Sequence, residues 1–494
     1  MHIAILDNGV SERLVNIKLY RNLEVTKNGT LISLQDLSSD KNHGTICLRI
    51  FEEYVVDDDI LVSSIKILDE KQIGNYQQVV SALEWCYKNR VDIVNMSLGS
   101  NFIRDKKKIL NTINYFTHHD MVIVASASNN GYLSYPASFT NVIGVRSSDD
   151  LNIGEGNWNY LEGSYDGIEI ETYFNHKVKW NDGSYDIYTD SNSYAAPMIT
   201  ARLIEPLRKH KPENNNKTEY LKLWLYNNSK NKSNHYKKLY TRPDWIQKGL
   251  CVSFSRDIPI KDIPYIFNCK IIYVEKIIQI SKWLFSHRKE EFDTIIIYNL
   301  NTFSMKEIFK LKKILCYWDI NIIFLDKFNE KFNILLNNNG KKWKKVFYLN
   351  KYCKYIPRKA ICPIIIIYAK GVLLLKSLKY IEFYFMKKGY STRIVTTNMS
   401  GSLCGFQYVE EDIFQDLENL FYVSNIEKSD LIIFGIEKYQ ELIEEKVDIV
   451  VTINLNEGKY NTILKSEKNF VTNERVDLDS LLRYICILLF NQLT

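Results

Sequence analysis

The stretch NYQQVVSALEWCYKNRVDIVNMSLGS, residues 75–100, changes period in its middle. Tyr76, Val79, Val80, Leu83 and Tyr87 recur three and four apart, the spacing of one face of an α-helix. Val91 to Met96, apolar apart from Asp92 and Asn95 and closed by Ser-Leu-Gly-Ser, reads as a strand followed by a turn. A helix that feeds directly into such a strand is the repeating unit of a parallel sheet covered by helices. The alternation extends both ways. HIAILD (2–7) and ILVSSIKIL (60–68) read as strands, KKILNTINYFTHH (107–119) as a helix, and MVIVASASNNG (121–131) as a further strand that ends at Asn129. In open sheets of this kind ligands gather beyond the carboxyl ends of the strands, where Asp7, Ser97 to Ser100 and Asn129 stand.

At 494 residues the chain exceeds what one hydrophobic core accommodates, and two or three domains are expected. Hydrophobic residues at 46% and charged residues at 25% exclude a disordered or membrane-embedded class. The net charge of +6 is spread over 64 Lys and Arg against 58 Asp and Glu, so no nucleic-acid partner is expected. Nine cysteines, scattered from Cys47 to Cys486 without short paired spacings, match neither a disulfide framework nor a zinc pattern, and reduced thiols are expected. The opening MHIAILDNGV has no basic segment, long apolar core or cleavage site, which predicts a cytoplasmic protein without a secretory signal. The apolar run 361–375 is broken by Lys370 and is too short to span a bilayer.

ILDNGV (5–10), NHGT (42–45), SALEWCYKNRVDIVNMSLGS (81–100), VIVASASNNG (122–131) with SYPASFTNVIGV (134–145), and SNSYAAP (191–197) carry a resemblance when taken in order. Together they resemble the subtilisin-like serine proteases over roughly residues 1–230. Asp7, His43 and Ser193 follow that family's order of Asp, His and Ser. The resemblance implies that Asp7 orients an imidazole, His43 is the general base, Ser193 is the nucleophile and Asn129 is an oxyanion donor. The chemistry needs these types: a serine hydroxyl must lose its proton to a base as it attacks a carbonyl, and a carboxylate fixes that base's tautomer. The Asn129 amide and the Ser193 backbone N–H would hold the developing oxyanion, helped by a helix beginning at Ser193. An extended peptide would lie along Ser97, Leu98, Gly99 and Ser100, with its side-chain pocket walled by Ser126, Ala127 and Ser128. Ser128 stands where the family usually has glycine, which predicts a narrower pocket. No cofactor is required; calcium occurs in the family, and no residue here is assigned to it.

Each residue also has a plainer reading on its own. Ser193 would be an N-cap before an apolar helix that holds Pro197 in its first turn, Asp7 a solvated strand end, His43 a helix start and Asn129 a turn former. Their joint order favours the catalytic reading. Departures from the family remain: Ser191 and Asn192 replace the usual Gly and Thr before the nucleophile, Asn8 follows the aspartate, and Cys47, Leu48 and Arg49 replace small residues after His43. Asn192 is a second candidate oxyanion donor. Only six residues precede Asp7, so no inhibitory pro-segment is expected.

The first domain is expected over 1–230, closing with a helix in TEYLKLWLYNNS (218–229) that packs through Leu221, Leu223, Trp224 and Leu225. A basic linker covers 231–245. LCVSFS, KIIYVEKII, DTIIIYNL, SMKEIFKLKKILCYW and INIIFLD then predict a small Rossmann-like α/β module over 246–350. The segment 340–359 carries eight Lys or Arg without an acid and reads as an exposed connector. A second α/β module over 360–494 opens on CPIIIIYAKGVLLLKS, where Lys376 and Ser377 suggest a degenerate P-loop. Lys370 and Leu375 stand where that motif needs glycine, so no nucleotide is expected. The region also faintly resembles accessory proteins of bacterial peptide-maturation systems. These readings predict a serine endopeptidase that processes a dedicated peptide, such as a ribosomal peptide precursor, with a maturation partner engaged through the distal region. The alternative is a catalytically impaired scaffold that binds peptide within a maturation complex.

Overall fold

All six residues of the first strand, His2–Asp7, are buried, so its alternate side chains feed two cores at once. In the computed structural model Ile3 and Ile5 point to one side of a sheet while Ala4 and Leu6 point to the other. The structure describes residues 1–34, 41–56, 59–130, 132–161, 166–189, 191–209, 217–231, 243–254, 267–287, 291–298, 303–318, 321–325, 362–409, 429–438, 447–466, 470–475 and 477–493. The chain divides into two compact units, Met1–Lys237 and Lys238–Thr494.

The first unit carries nine strands in one sheet: β1 (His2–Asp7), β2 (Leu19–Val25), β3 (Leu31–Ser33), β4 (Leu61–Lys66), β5 (Ile93–Met96), β6 (Val122–Ser126), β7 (Ile143–Ser148), β8 (Trp158–Tyr160) and β9 (Ile170–Tyr173). Their order is β3-β2-β4-β1-β5-β6-β7-β9-β8, parallel except for the β2–β3 and β8–β9 pairs. The chain leaves β1 towards β4 on one side and returns to β5 on the other. That switch leaves a crevice at the carboxyl ends of β1 and β5, beside Asp7 and Ser97. A two-stranded hairpin, β10 (His176–Lys179) and β11 (Tyr185–Tyr188), stands apart from the sheet.

Helices α1 (His43–Tyr54), α2 (Tyr76–Lys88), α3 (Ile103–Thr117), α4 (Ala195–Arg202), α5 (Ile204–Lys209) and α6 (Lys217–Asn228) cover the sheet. Helix α1 and α4 residues share a core with Ile3 and Ile5, and α2 and α3 residues share one with Ala4 and Leu6. The buried face of α2 differs from the one its periodicity predicts. Gln78, Ser81, Ala82, Leu83 and Cys86 face inward, while Tyr87 is exposed and rests against Tyr115 and Phe116 of α3. Small side chains let the helix approach the sheet, and the bulky ring is accommodated outside. In α6, Leu221 and Leu225 are buried and Trp224 stacks on Trp158, but Leu223 is 58% exposed, two residues and thus over half a turn from the buried line. Strand β6 stops at Ser126, which leaves Asn129 in the loop beyond it. Helix α4 starts at Ala195 rather than at Ser193, after a single 3-10 turn over Asn192–Tyr194.

The second unit holds a four-stranded parallel sheet in the order Asn268–Tyr273, Lys248–Ser253, Thr294–Tyr298, Asn321–Leu325. It also holds a seven-stranded sheet built around Ile364–Tyr368. In the latter only Ala369 and Lys370 separate the strand from the helix Gly371–Lys387. Lys376 and Ser377 therefore lie inside the helix, where the buried Ser377 hydroxyl donates to the Leu373 carbonyl. The helix's first amide, Gly371 N–H, donates to the Glu437 carboxylate at 2.8 Å, and Asn398 donates to the same oxygen at 2.9 Å. The position where a P-loop would hold a phosphate is filled by the chain's own anion. Most of the linker expected over 231–245 and all of the basic segment 340–359 fall outside the described residues. Among the described residues no helix is long and apolar enough to cross a membrane.

Candidate active site

Asp7 ends β1 with its carboxylate 1% exposed. One oxygen accepts from the Asn8 backbone N–H at 2.8 Å, and the two oxygens lie 2.8 and 2.9 Å from His43 Nδ1. An ionised carboxylate only accepts, so Nδ1 carries the proton and Nε2 is left as the basic nitrogen. His43 owes its place to the start of α1: the Asn42 side chain caps the helix through Thr45 N–H, and the Asn8 side chain accepts from Gly44 N–H at 2.8 Å. Gly44 has to be glycine, because a Cβ there would collide with the Gly9 carbonyl oxygen. Burial disfavours a charged His43 imidazole; the Cys47 sulfur and the Asp7 carboxylate favour it and win, so the His43 pKa is raised. Burial pushes the Cys47 thiol up, leaving it neutral near pH 7, and Asp7 is the charge that acts there.

Ser193 sits in the 3-10 turn before α4 and does not cap that helix; Tyr194 occupies the cap position and Ser191 caps the turn. Among the described residues the Ser193 hydroxyl makes no hydrogen bond to His43, and donates instead to the Ser97 carbonyl at 3.4 Å. In return, the Ser97 hydroxyl donates to the Ser193 carbonyl at 2.9 Å. Beneath this pair, fully buried Asn95 donates to the Ser97 hydroxyl at 3.2 Å and accepts from Thr200 of α4 at 3.1 Å. This buried polar ladder fixes α4 over β5. The sequence carried a signal for it: Asn95 is a polar residue inside an otherwise apolar strand.

The Asn129 side chain accepts from the Asn192 backbone N–H at 2.7 Å and donates from Nδ2 to the Ser191 hydroxyl at 3.4 Å. Ser193 N–H donates to that same hydroxyl at 3.3 Å, so both predicted oxyanion donors converge on one point. The Asn192 side chain is turned to other partners. Its oxygen accepts from Ser147 N–H and its nitrogen donates to the Ser128 carbonyl, each at 2.9 Å. Ser100 exchanges two backbone hydrogen bonds with Tyr135, and Ser97 is buried while Gly99 is open to solvent. The Ser128 hydroxyl accepts from Asn101 Nδ2 at 3.3 Å, which ties the segment beyond β5 to the segment beyond β6.

Residues 1–240 match the family model described as the subtilase family, Peptidase S8. This part of the chain belongs to the subtilases. It is 27% identical over 161 residues to the minor extracellular protease Epr of Bacillus subtilis, a match that takes in 30% of this chain and 24% of that protein. It is 25% identical over 224 residues to subtilisin DY of Bacillus licheniformis, covering 42% of this chain and 77% of the relative. The chain thus spans about a quarter of the first relative's length and about three quarters of the second's. A cold adapted subtilisin-like serine proteinase of known structure superposes with a TM-score of 0.37 and 17% identity, over 47% of this chain and 84% of its own.

Within the subtilase unit, sequence reasoning overlooked an aromatic cluster beside His43. Tyr194 stacks on His43 with ring centroids 5.7 Å apart, and Tyr188 and His176 pack edge-on against Tyr194. The hairpin that brings Tyr188 and His176 is anchored to α1 by buried Arg49, which pairs with Glu52 and donates to the Lys179 carbonyl. His176 is 2% exposed and neither ring nitrogen has a partner, so burial lowers its pKa from 6.5 to about 4. An unfolded chain binds a proton near pH 6.5 that the folded chain refuses until about pH 4, and stability therefore falls as pH drops through that window. The difference amounts to roughly 3 kcal/mol. His176→Phe, which keeps a ring between Tyr54 and Tyr194, is expected to abolish most of this acid sensitivity in melting curves recorded from pH 7.5 to pH 4.5.

Asp7, His43 and Cys47 offer three potential metal-ligand atoms within 4.8 Å of one another. Their chemistry fits hydrogen bonding better than ligation, because Nδ1 already serves Asp7 and burial keeps the Cys47 thiol protonated.

Proposed function

We propose that the protein is a serine endopeptidase in which His43 is the general base, Asp7 its orienting carboxylate, Ser193 the nucleophile, and Asn129 Nδ2 with Ser193 N–H the oxyanion donors. The observation that carries this reading is the two-oxygen contact of buried Asp7 with His43 Nδ1, which leaves Nε2 as the nitrogen able to act as base. In the reaction Ser193 Oγ attacks the scissile carbonyl as its proton passes to Nε2. The carbonyl oxygen gains charge between the two N–H donors, and the imidazolium then protonates the leaving amine. Substrate would extend along Ser97 to Ser100 with its side chain between that segment and Ser126 to Ser128.

We further propose a dedicated peptide substrate rather than general degradation. The Asn101–Ser128 hydrogen bond ties together the two segments expected to wall the pocket, and the resting hydroxyl of Ser193 is turned to Ser97 rather than to His43. Both features favour a selective enzyme. Incubation with casein and with peptides encoded beside the gene, read by mass spectrometry, tests this. One cut in such a peptide with casein intact is the expected outcome; broad casein digestion with those peptides untouched would refute the dedicated role.

A further inference from the structure

The oxyanion donors converge on an oxygen of the chain itself. Ser193 N–H reaches Ser191 Oγ at 3.3 Å and Asn129 Nδ2 reaches it at 3.4 Å, while Asn129 is held in this orientation by its 2.7 Å bond from Asn192 N–H. Resting on the endopeptidase reading, we propose that the Ser191 hydroxyl occupies the oxyanion hole of the resting enzyme, as a latch that the substrate carbonyl oxygen must displace.

The same hydroxyl caps the 3-10 turn through its bond from Ser193 N–H, and three observations show that it can leave that position. Both bonds to it are long, at the weak end for N–H donors, so they yield to a charged oxygen that would bind at shorter range. The Ser191 backbone is positioned without its side chain, because the Ser147 hydroxyl donates to the Ser191 carbonyl at 2.9 Å. At Ser191 φ is −128 and ψ 125, ordinary extended backbone that alanine, threonine or glycine adopts without strain. Moving the hydroxyl therefore requires only a change of χ1 well, with the main chain left in place. In the same resting state Ser193 Oγ is engaged by the Ser97 carbonyl, so nucleophile and oxyanion hole are both occupied by partners from the chain itself.

The test uses the full chain and a fluorophosphonate probe. Ser193 Oγ forms a bond to phosphorus as its proton passes to His43 and fluoride leaves, and the phosphoryl oxygen takes the oxyanion's place. Ser191→Ala and Ser191→Gly are expected to react roughly three- to tenfold faster than wild type, the scale of one weak hydrogen bond. Ser191→Thr, which restores a hydroxyl, is expected to react at the wild-type rate, whereas loss of a merely structural cap would slow Ser191→Ala and Ser191→Gly rather than speed them. Unchanged or slower labelling of Ser191→Ala, with Ser193→Ala inert, would overturn the latch and leave the nucleophile assignment standing. Absence of label on every folded variant, wild type included, would overturn both.

Discussion

Ser193→Ala is expected to lower kcat on an activated ester or a cleavable peptide by roughly 10⁶, the scale of removing a serine nucleophile from a triad of this kind. The loss is this large because the remaining groups act only through the missing oxygen. Without it, His43 has no hydroxyl to deprotonate, and Asp7 orients a base that has no partner. A residual rate of about 10³ to 10⁴ over water would remain from the oxyanion donors and substrate binding. Stability should change little. The Ser193 hydroxyl makes one long bond to the Ser97 carbonyl, and the turn before α4 is capped by Ser191 instead. A melting temperature within a few degrees of wild type, beside the kinetic loss, would separate chemistry from folding.

Asp7→Asn carries the next largest effect, a fall of about 10⁴ in kcat. An amide can donate to Nδ1, and a ring that accepts there carries its proton on Nε2, the nitrogen that must act as base. The pH profile gives a second readout. Burial opposes protonation of His43, and the Asp7 carboxylate, the charge that acts beside it, favours it, with the wild-type pKa raised above 6.5. Because the base works only when neutral, kcat/KM of the wild type should climb with pH through a value above 6.5. With the carboxylate gone the burial effect gains weight, and the acid limb of Asp7→Asn should move to lower pH. A limb that stays in place would show that Asp7 does not set the His43 proton affinity.

The parts of this molecule legible in the sequence are those where one local rule acts alone. HIAILD is a buried strand ending in a carboxylate, and both statements hold in the fold. The crevice beyond β1 and β5 follows from the alternation of helix and strand. What escaped was decided by packing. The face of α2 was misjudged because Tyr76, Val80 and Tyr87 look apolar, while the sheet accepts Ser81, Ala82 and Cys86 at close range. Asn192 looked like an oxyanion donor by its place beside Ser193, yet its amide is consumed by Ser147 and Ser128, partners distant in sequence. Tyr194, His176 and Arg49 gain meaning only once the hairpin folds back over α1. In the second unit, Glu437 at the head of the helix Gly371–Lys387 is 66 positions from the amide it satisfies, beyond the reach of any local motif.

The central claim is that Ser193 is a nucleophile activated by His43. Its most direct measurement is to treat the purified full chain with a fluorophosphonate probe, locate the adduct by mass spectrometry, and repeat with His43→Ala. The account predicts one adduct, on Ser193, formed by the native protein and absent after unfolding or in His43→Ala. A folded wild-type chain that takes no label, or one labelled on another residue, would contradict it.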